Sequence, residues 1–245
     1  MRLRLIGLAT LLFLVAGPAW AQAPCEALEE AGARYVVCRF DAARDDLRLF
    51  WNDARGERYG SFGALAGDLA KQGRTLAFAM NAGMYDPDYA PVGLYIESGV
   101  VQRPANLRDA SGNFHLKPNG VFFVGAGRAG VMETGRFLRT RPAASLATQS
   151  GPMLVAGGRI HPRIRPTGVS AKIRNGVGVA DGRRVMFAIS NQPVTFHAFA
   201  SLFRDRLGCP DALFLDGSIS GVYAPNLQRE DRWRPMGPIV GVVAR

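Results

Sequence analysis

The chain predicts an α+β fold: a single domain with a mixed, largely antiparallel sheet and few helices. Many short apolar runs of strand length, turn-rich joints between them, and only two stretches of helical periodicity support that prediction.

In chain order, the first residues carry Arg2 and Arg4, an apolar core from Leu5 to Ala16, and Ala19-Trp20-Ala21 as a small-x-small cleavage site. This is the pattern of a secretory signal peptide spanning residues 1–21. The apolar run is short for a membrane span, and no later segment reaches spanning length, so no stable membrane anchor is expected. The remaining chain, 22–245, has no repeat, long linker or low-complexity tract to divide it, and has room for one sizeable core.

Strands are expected at Ala33 to Phe40 and Leu47 to Trp51. Ser61 then caps a helix whose buried face is Phe62, Leu65, Ala66 and Leu69, and Gly73 ends it. Thr75 to Met80 reads as a buried strand emptying into the polar elbow Asn81-Ala-Gly-Met-Tyr85. Pro91 to Glu97 with Gly99 to Gln102 reads as a hairpin, and Val121 to Val124 as a further strand. Residues 125–146 are Gly- and Arg-rich and carry no periodicity. A second elbow, Thr148-Gln-Ser-Gly-Pro152, leads into Met153 to Val155. Ala171 to Val179 joins Val185 to Ile189 through Asp181-Gly182, a strong hairpin signal. Phe196, Phe199, Ala200, Phe203 and Leu207 lie at helical spacing, giving the second helix. The apolar run Ala212 to Leu215 then ends in a third elbow, Asp216 to Gly221.

Cleavage of the leader would remove Arg2 and Arg4 and no acids, taking the net charge from +10 to +8. The charge is scattered, and its densest part, Arg159, Arg163, Arg165, Lys172 and Arg174, is broken by prolines. A nucleic-acid binder concentrates its charge on one element, so a nucleic-acid partner is not expected. The basic balance instead suits anionic ligands. Of the three cysteines in the exported chain, Cys25 and Cys38 are closest in sequence and are the expected disulfide; Cys209 is left as a buried thiol.

Familiar site signatures are missing. There is no HExxH, paired CxxC or Walker loop, and Gly176-Val-Gly178 lacks the third glycine of a dinucleotide fingerprint. The hydrolase elbow G-x-S-x-G is also absent, because Ile219 holds its middle place. A serine hydrolase using Ser218 or Ser220 with His197 therefore ranks last. Histidines 115, 161 and 197 are too scattered to suggest a histidine metal cluster. No cofactor is expected, and a carboxylate-bound divalent cation stays open.

The remaining candidates are elbows rich in Asn, Ser, Gly and Asp, with Arg174 beside them. Amide and carboxylate side chains hydrogen-bond sugar hydroxyls, and a guanidinium holds phosphate bidentately. Each residue also has a plainer reading: Asn81 as a turn residue, Arg174 as a surface charge beside Asp181, His197 as a helix-face histidine, Asp216 as an Asx-turn closing a hairpin.

Six segments occur in order: Asn81 to Tyr85, Pro91 to Glu97, Lys117-Pro-Asn-Gly-Val-Phe-Phe123, Gln149-Ser-Gly-Pro-Met-Leu154, Arg174-Asn-Gly-Val-Gly178 and Leu215-Asp-Gly-Ser-Ile-Ser220. Together this series resembles the phosphodiester glycosidase family, with its uncovering-enzyme-like domain, and most closely its bacterial exported branch. The resemblance covers roughly residues 33–243. It implies a periplasmic or secreted hydrolase acting on a sugar–phosphate diester at the anomeric carbon; the alternative is a non-catalytic envelope protein that holds a phosphorylated glycan. Residue chemistry and the resemblance together put Arg174 on the departing phosphate and make Asp216 the catalytic carboxylate, which activates water or stabilises the oxocarbenium-like carbon. Asn81, Gly83, Tyr85, Ser150, Gly151, Asn175, Gly217, Ser218 and Ser220 then contact substrate, with Glu97 and His197 as secondary candidates. One departure stands out: Ser218 and Ile219 occupy places where the family carries glycines.

Overall fold

The computed structural model describes residues 24–216, 219–231 and 235–244. The proposed leader, and Gly217 and Ser218 of the third elbow, lie outside them. The strands and helices run β1 (Cys25–Glu30), β2 (Ala33–Asp41), β3 (Asp46–Phe50), α1 (Phe62–Lys71), β4 (Thr75–Asn81), β5 (Tyr95–Glu97), β6 (Val100–Arg103), β7 (Gly120–Gly125), β8 (Arg128–Glu133) and α2 (Thr134–Thr140). After these come β9 (Leu146–Ser150), β10 (Met153–Ala156), β11 (Arg159–Ile160), β12 (Ala171–Lys172), β13 (Asn175–Ala180), β14 (Arg184–Ser190), β15 (Val194–Thr195) and α3 (Phe196–Ser201). The chain ends with β16 (Asp211–Phe214), β17 (Val222–Ala224), β18 (Arg229–Glu230) and β19 (Ile239–Ala244).

Three sheets enclose the core. One has seven strands, in the order β1-β2-β14-β13-β16-β10-β11; the others have five, β18-β17-β4-β19-β3 and β6-β5-β9-β7-β8. Pairing among these described strands is antiparallel, as at β13–β14 and β4–β19. Alternation along each strand sends one set of side chains inward. Val177 and Val179 of β13, Phe187 of β14, Phe78 and Met80 of β4, and Phe122 of β7 meet in the shared core. Each outer face carries one helix: α3 on the seven-stranded sheet, α1 on the β3–β4–β19 side, and α2 on the remaining sheet.

Local chemistry explains the elements. The Ser61 hydroxyl accepts from Ala64 N at 3.1 Å and caps α1. Asp181 and Gly182 both have positive φ, 56° and 64°, the turn that the β13–β14 hairpin needs. The glycines of β13 set how closely α3 approaches: a Cβ on Gly178 would sit 2.6 Å from Cys209 Sγ and 2.7 Å from Phe203. A side chain there would push the helix off the sheet. Cys25 and Cys38 face one another across β1 and β2 and form the disulfide.

Several expectations change. The helix after Thr195 runs as α3 and then widens into a π-turn, Leu202–Arg206, before Gly208 at φ 63° ends it. The unreadable stretch 125–146 contains β8 and a third short helix, α2, capped by Glu133, whose carboxylate accepts from Gly135 N and Arg136 N. Ala171–Lys172 is not the start of the long hairpin strand. It pairs with Val194–Thr195 as a separate two-stranded ribbon, because the chain breaks register at Ile173 and Arg174 before β13 begins.

Candidate functional site

Strands of all three sheets end at the same place. Asn81 closes β4, Ser150 closes β9, Asn175 opens β13, Asp216 lies two residues beyond β16, and Gly221 immediately precedes β17. Asn81 Oδ1 accepts from Asn175 Nδ2 and from Gly221 N, each at 2.9 Å. Asn175 Oδ1 in turn accepts from Asp216 N at 3.2 Å. A backbone N–H can only donate, so these contacts fix the orientation of both side-chain amides. Asn81 Nδ2 is then left as a buried donor with no partner among the described residues. Such a group costs about 1–3 kcal/mol and calls for a physical account.

The other elbow residues hold the backbone on which Asp216 sits. Ser150 Oγ donates to Leu215 O at 2.5 Å, and Leu215 N donates to Asn175 O at 3.2 Å. Ser220 Oγ lies 2.9 Å from Asp216 O, 3.3 Å from Ile173 O and 3.4 Å from Asn175 Oδ1; its single proton goes to the nearest, Asp216 O. Gly83 N donates to Thr148 Oγ1 at 3.2 Å, and a Cβ on Gly83 would stand 2.5 Å from both that oxygen and Gln149 O. Only glycine permits the chain just beyond β4 to come so close to β9. Gly151 sits equally tightly beneath Phe114 O.

Arg174 is the residue before Asn175, and it lies against Phe196 and Phe214 on the face that α3 covers, two residues along the chain from Asp216 at its Phe214 contact. Its guanidinium carbon lies 3.5 Å from the Phe196 ring centroid and 5.5 Å from that of Phe214. Nε donates to Val194 O at 2.9 Å and Nη2 to Ser170 O at 2.8 Å. No carboxylate pairs with it among the described residues. Desolvation lowers its pKa to about 10, so it remains charged at neutral pH. Among the described Asp, Glu, Lys and Arg residues, only Arg174, 1% exposed, and Asp216, 7% exposed, are buried. Charged side chains rarely lie this deep without a partner or a function.

The remaining candidates lie outside this network. Tyr85 flanks it, with its ring against Gly237 and stacked on Tyr89 at 5.5 Å. Glu97 sits on β5, where it accepts from Tyr95 OH at 2.9 Å and burial raises its pKa; no described contact joins it to the Asn81–Asn175 pair. His197 projects from α3 within electrostatic reach of Asp205. A cavity of about 600 Å³ flanks β8 and contains none of the elbow residues, so we give it no part in the site. Among the described residues no cluster of His, Cys, Asp and Glu is placed to hold a metal ion.

Sequence reasoning passed over a second polar layer. Gln149 Oε1 accepts from Leu94 N at 3.0 Å and Asn106 N at 2.9 Å, while its Nε2 donates to Asn106 O at 2.8 Å. Thr134 Oγ1 donates to Asn119 Oδ1 at 2.9 Å, and Asn119 Nδ2 to Phe114 O at 2.9 Å. The available signal was Thr and Gln inside β9, a strand buried along its whole length.

Fold and site together define a class: a three-sheet α+β domain whose polar elbows converge at strand ends, with one buried carboxylate on an elbow and one buried guanidinium at the start of β13. The family model described as phosphodiester glycosidase matches residues 74–243. Uncharacterized protein YigE of Escherichia coli K12 is 41% identical over 177 residues, which is 72% of this chain and 69% of that one. The catalytic domain of zebrafish N-acetylglucosamine-1-phosphodiester alpha-N-acetylglucosaminidase, auto-inhibited by its pro-peptide, superposes with a TM-score of 0.60 at 14% identity, covering 90% of this chain and 82% of that one. A putative exported protein of Burkholderia pseudomallei K96243 gives 0.57 at 11% identity, over 86% and 74% of the two chains. The chain belongs to the phosphodiester glycosidase family.

Proposed function

We propose that this protein is an exported hydrolase that cleaves a sugar–phosphate diester at the anomeric carbon. The observation that carries the proposal is the burial, at converging strand ends, of one carboxylate and one guanidinium that has no carboxylate partner among the described residues. A buried guanidinium held by backbone carbonyls and an aromatic ring, with no described carboxylate to neutralise it, attracts an anionic ligand, and that attraction is strengthened where water is excluded. Membership of the family supplies the ligand class, a phosphodiester-linked sugar.

In the proposed reaction, water attacks the anomeric carbon and gives its proton to the Asp216 carboxylate. The bond between that carbon and the phosphate oxygen breaks, and its electron pair leaves on the phosphate monoester. The second pKa of a phosphate monoester is about 6, so the group departs without a strong general acid. Arg174 supplies fixed positive charge to the departing phosphate. It is held on Phe196 and by two backbone carbonyls, so little reorganisation is required as charge develops. The unpartnered Nδ2 of Asn81 donates to a substrate oxygen, and Ser150, Asn175 and Ser220 keep the Asp216 backbone in place.

Export fits the leader pattern and the Cys25–Cys38 disulfide, since disulfides persist in oxidising compartments. Among the described residues no helix is long and apolar enough to cross a membrane.

The test is sugar release from a panel of α-linked sugar-1-phosphate diesters by wild type, Asp216→Asn and Arg174→Ala. Turnover by wild type that falls at least about 100-fold in both variants is expected. Unchanged turnover in either variant contradicts that residue's role. Tight binding without turnover by wild type points instead to a phosphoglycan-binding protein.

A further inference from the structure

Beyond Asn81 the chain doubles back before entering β5. Asp86 N donates to Ala90 O at 2.9 Å and Val92 N to Met84 O at 3.0 Å, while Asp86 Oδ1 accepts from Asp88 N and Ala90 N. Tyr89 takes φ 62°, a conformation that costs a non-glycine side chain energy. It places the Tyr89 ring on Tyr85 and beneath Arg58, whose guanidinium carbon is 3.8 Å from the ring centroid. Tyr89 O also accepts from Trp51 Nε1 at 3.1 Å, and Arg103 lies 5.5 Å from the Trp51 ring. Two arginines are thus held against aromatic rings, which limits their motion and leaves their charge available.

Beside this stack opens a cleft of about 420 Å³ whose lining includes Asp86, Val92, Arg103, Asn106 and Arg108. Its wall is fastened to the candidate site. Asn106 Nδ2 donates to Val92 O at 3.1 Å, and its backbone is clamped by Gln149, whose own carbonyl packs against Gly83. Arg58, Arg103 and Arg108 have no carboxylate partner among the described residues. Arg48, Arg55, Arg74, Arg183, Arg184 and Arg229 pair with acids, whereas Arg103 and Arg108 share one cleft with their charges unpaired among the described residues. The acid in the cleft, Asp86, already accepts two backbone N–H bonds in its own turn.

We propose that this cleft is a second anion subsite. It holds the next phosphate along an anionic glycan, so the preferred substrate is a chain of sugar phosphates rather than an isolated diester. This rests on the proposed function for the identity of the first site. An isolated diester leaves Arg103 and Arg108 of this cleft unused; a chain with a charge one unit further on engages them.

The probes are a two-unit α-linked sugar phosphate chain and the same chain with its outer phosphate methylated to a neutral triester. The scissile bond is the same, and the two chains differ at the outer phosphate by one charge and one methyl group. Wild type is expected to show kcat/KM about fivefold or more in favour of the charged chain, a ratio that falls towards one in the Arg103→Ala/Arg108→Ala double variant. The Arg103→Lys/Arg108→Lys variant restores part of it. A ratio of one in wild type, or one unchanged in the alanine double variant, overturns the subsite; a general folding defect lowers both rates and leaves the ratio alone. If neither compound is hydrolysed, the proposed reaction fails separately, and calorimetric binding of the same pair decides. Tighter binding of the charged chain that is lost in the alanine double variant supports the subsite; equal binding overturns it.

Discussion

Asn175 Nδ2 donates to Asn81 Oδ1 at 2.9 Å across a separation of 94 residues, joining the seven-stranded sheet to the β4 sheet at the point where both end. The same two side chains receive the backbone N–H groups of Asp216 and Gly221. The pair therefore fixes both sides of the elbow that carries Asp216.

Replacing Asn175 by Ala leaves Asp216 N without its acceptor and removes one donor to Asn81. A loss of about 1–3 kcal/mol is expected, read as a lower urea midpoint at unchanged slope. Loss of activity beyond the unfolded fraction is expected too, because Asp216, the carboxylate of the proposed reaction, loses its fixed position. Wild-type stability in this variant contradicts the linking role.

Gly178→Ala inserts a methyl group where Cys209 Sγ and Phe203 already stand within 2.7 Å. Overpacking of this kind costs about 1–3 kcal/mol. Thermal unfolding should show the drop; an unchanged midpoint would mean that α3 moves away from the sheet freely.

The Cys25–Cys38 disulfide closes a loop with a sequence separation of 13. By the loop-closure argument, the Cys25→Ser/Cys38→Ser variant should lose about 2–4 kcal/mol. Burial pushes the Cys209 thiol up to about 12. Iodoacetamide should therefore leave Cys209 unmodified until the protein unfolds, and rapid labelling in the native state counts against its burial.

Glu97 supplies a pH test. Burial raises its folded pKa above the ordinary value, so the folded state holds the proton more tightly than the unfolded chain. The contribution to stability is present below the unfolded pKa of about 4.5 and is lost as pH rises through the folded value. Glu97→Gln removes this dependence and can still accept from Tyr95 OH. Its stability relative to wild type should grow as pH is raised from acid to neutral in urea melts. A difference independent of pH contradicts the assignment.

Features with local causes were legible in the sequence. Ser61 announced the start of α1 because capping acts within three residues, and Asp181-Gly182 announced its hairpin because the turn requires positive φ. α2 was hidden: its seven residues are too few for periodicity, and its cap is Glu133 rather than serine or asparagine. β1 was missed because only one side chain of Cys25–Glu30 is fully buried, leaving a polar edge strand without an apolar run. The pairing of Ala171–Lys172 with Val194–Thr195 joins an exposed dipeptide to a partner more than twenty residues later, so no local pattern marks it.

In the site, Asn81 and Asp216 stood out as polar residues at the ends of apolar runs, and Ser150 as part of an elbow that leads into one. The Asn81–Asn175 bond did not, because long-range polar pairs leave no periodic trace. Gln149 was visible as part of the second elbow, but its clamp on Asn106 depends on the path of the 104–108 loop, which only the fold determines.

Heavy-oxygen water shows directly which bond breaks. Hydrolysis of an α-sugar-1-phosphate diester in labelled water, followed by mass spectrometry of both products, places the incoming oxygen. Cleavage at the anomeric carbon puts the label on the sugar and none on the phosphate monoester. Label in the phosphate instead would show attack at phosphorus, and the glycosidase account of Asp216 and Arg174 would be wrong.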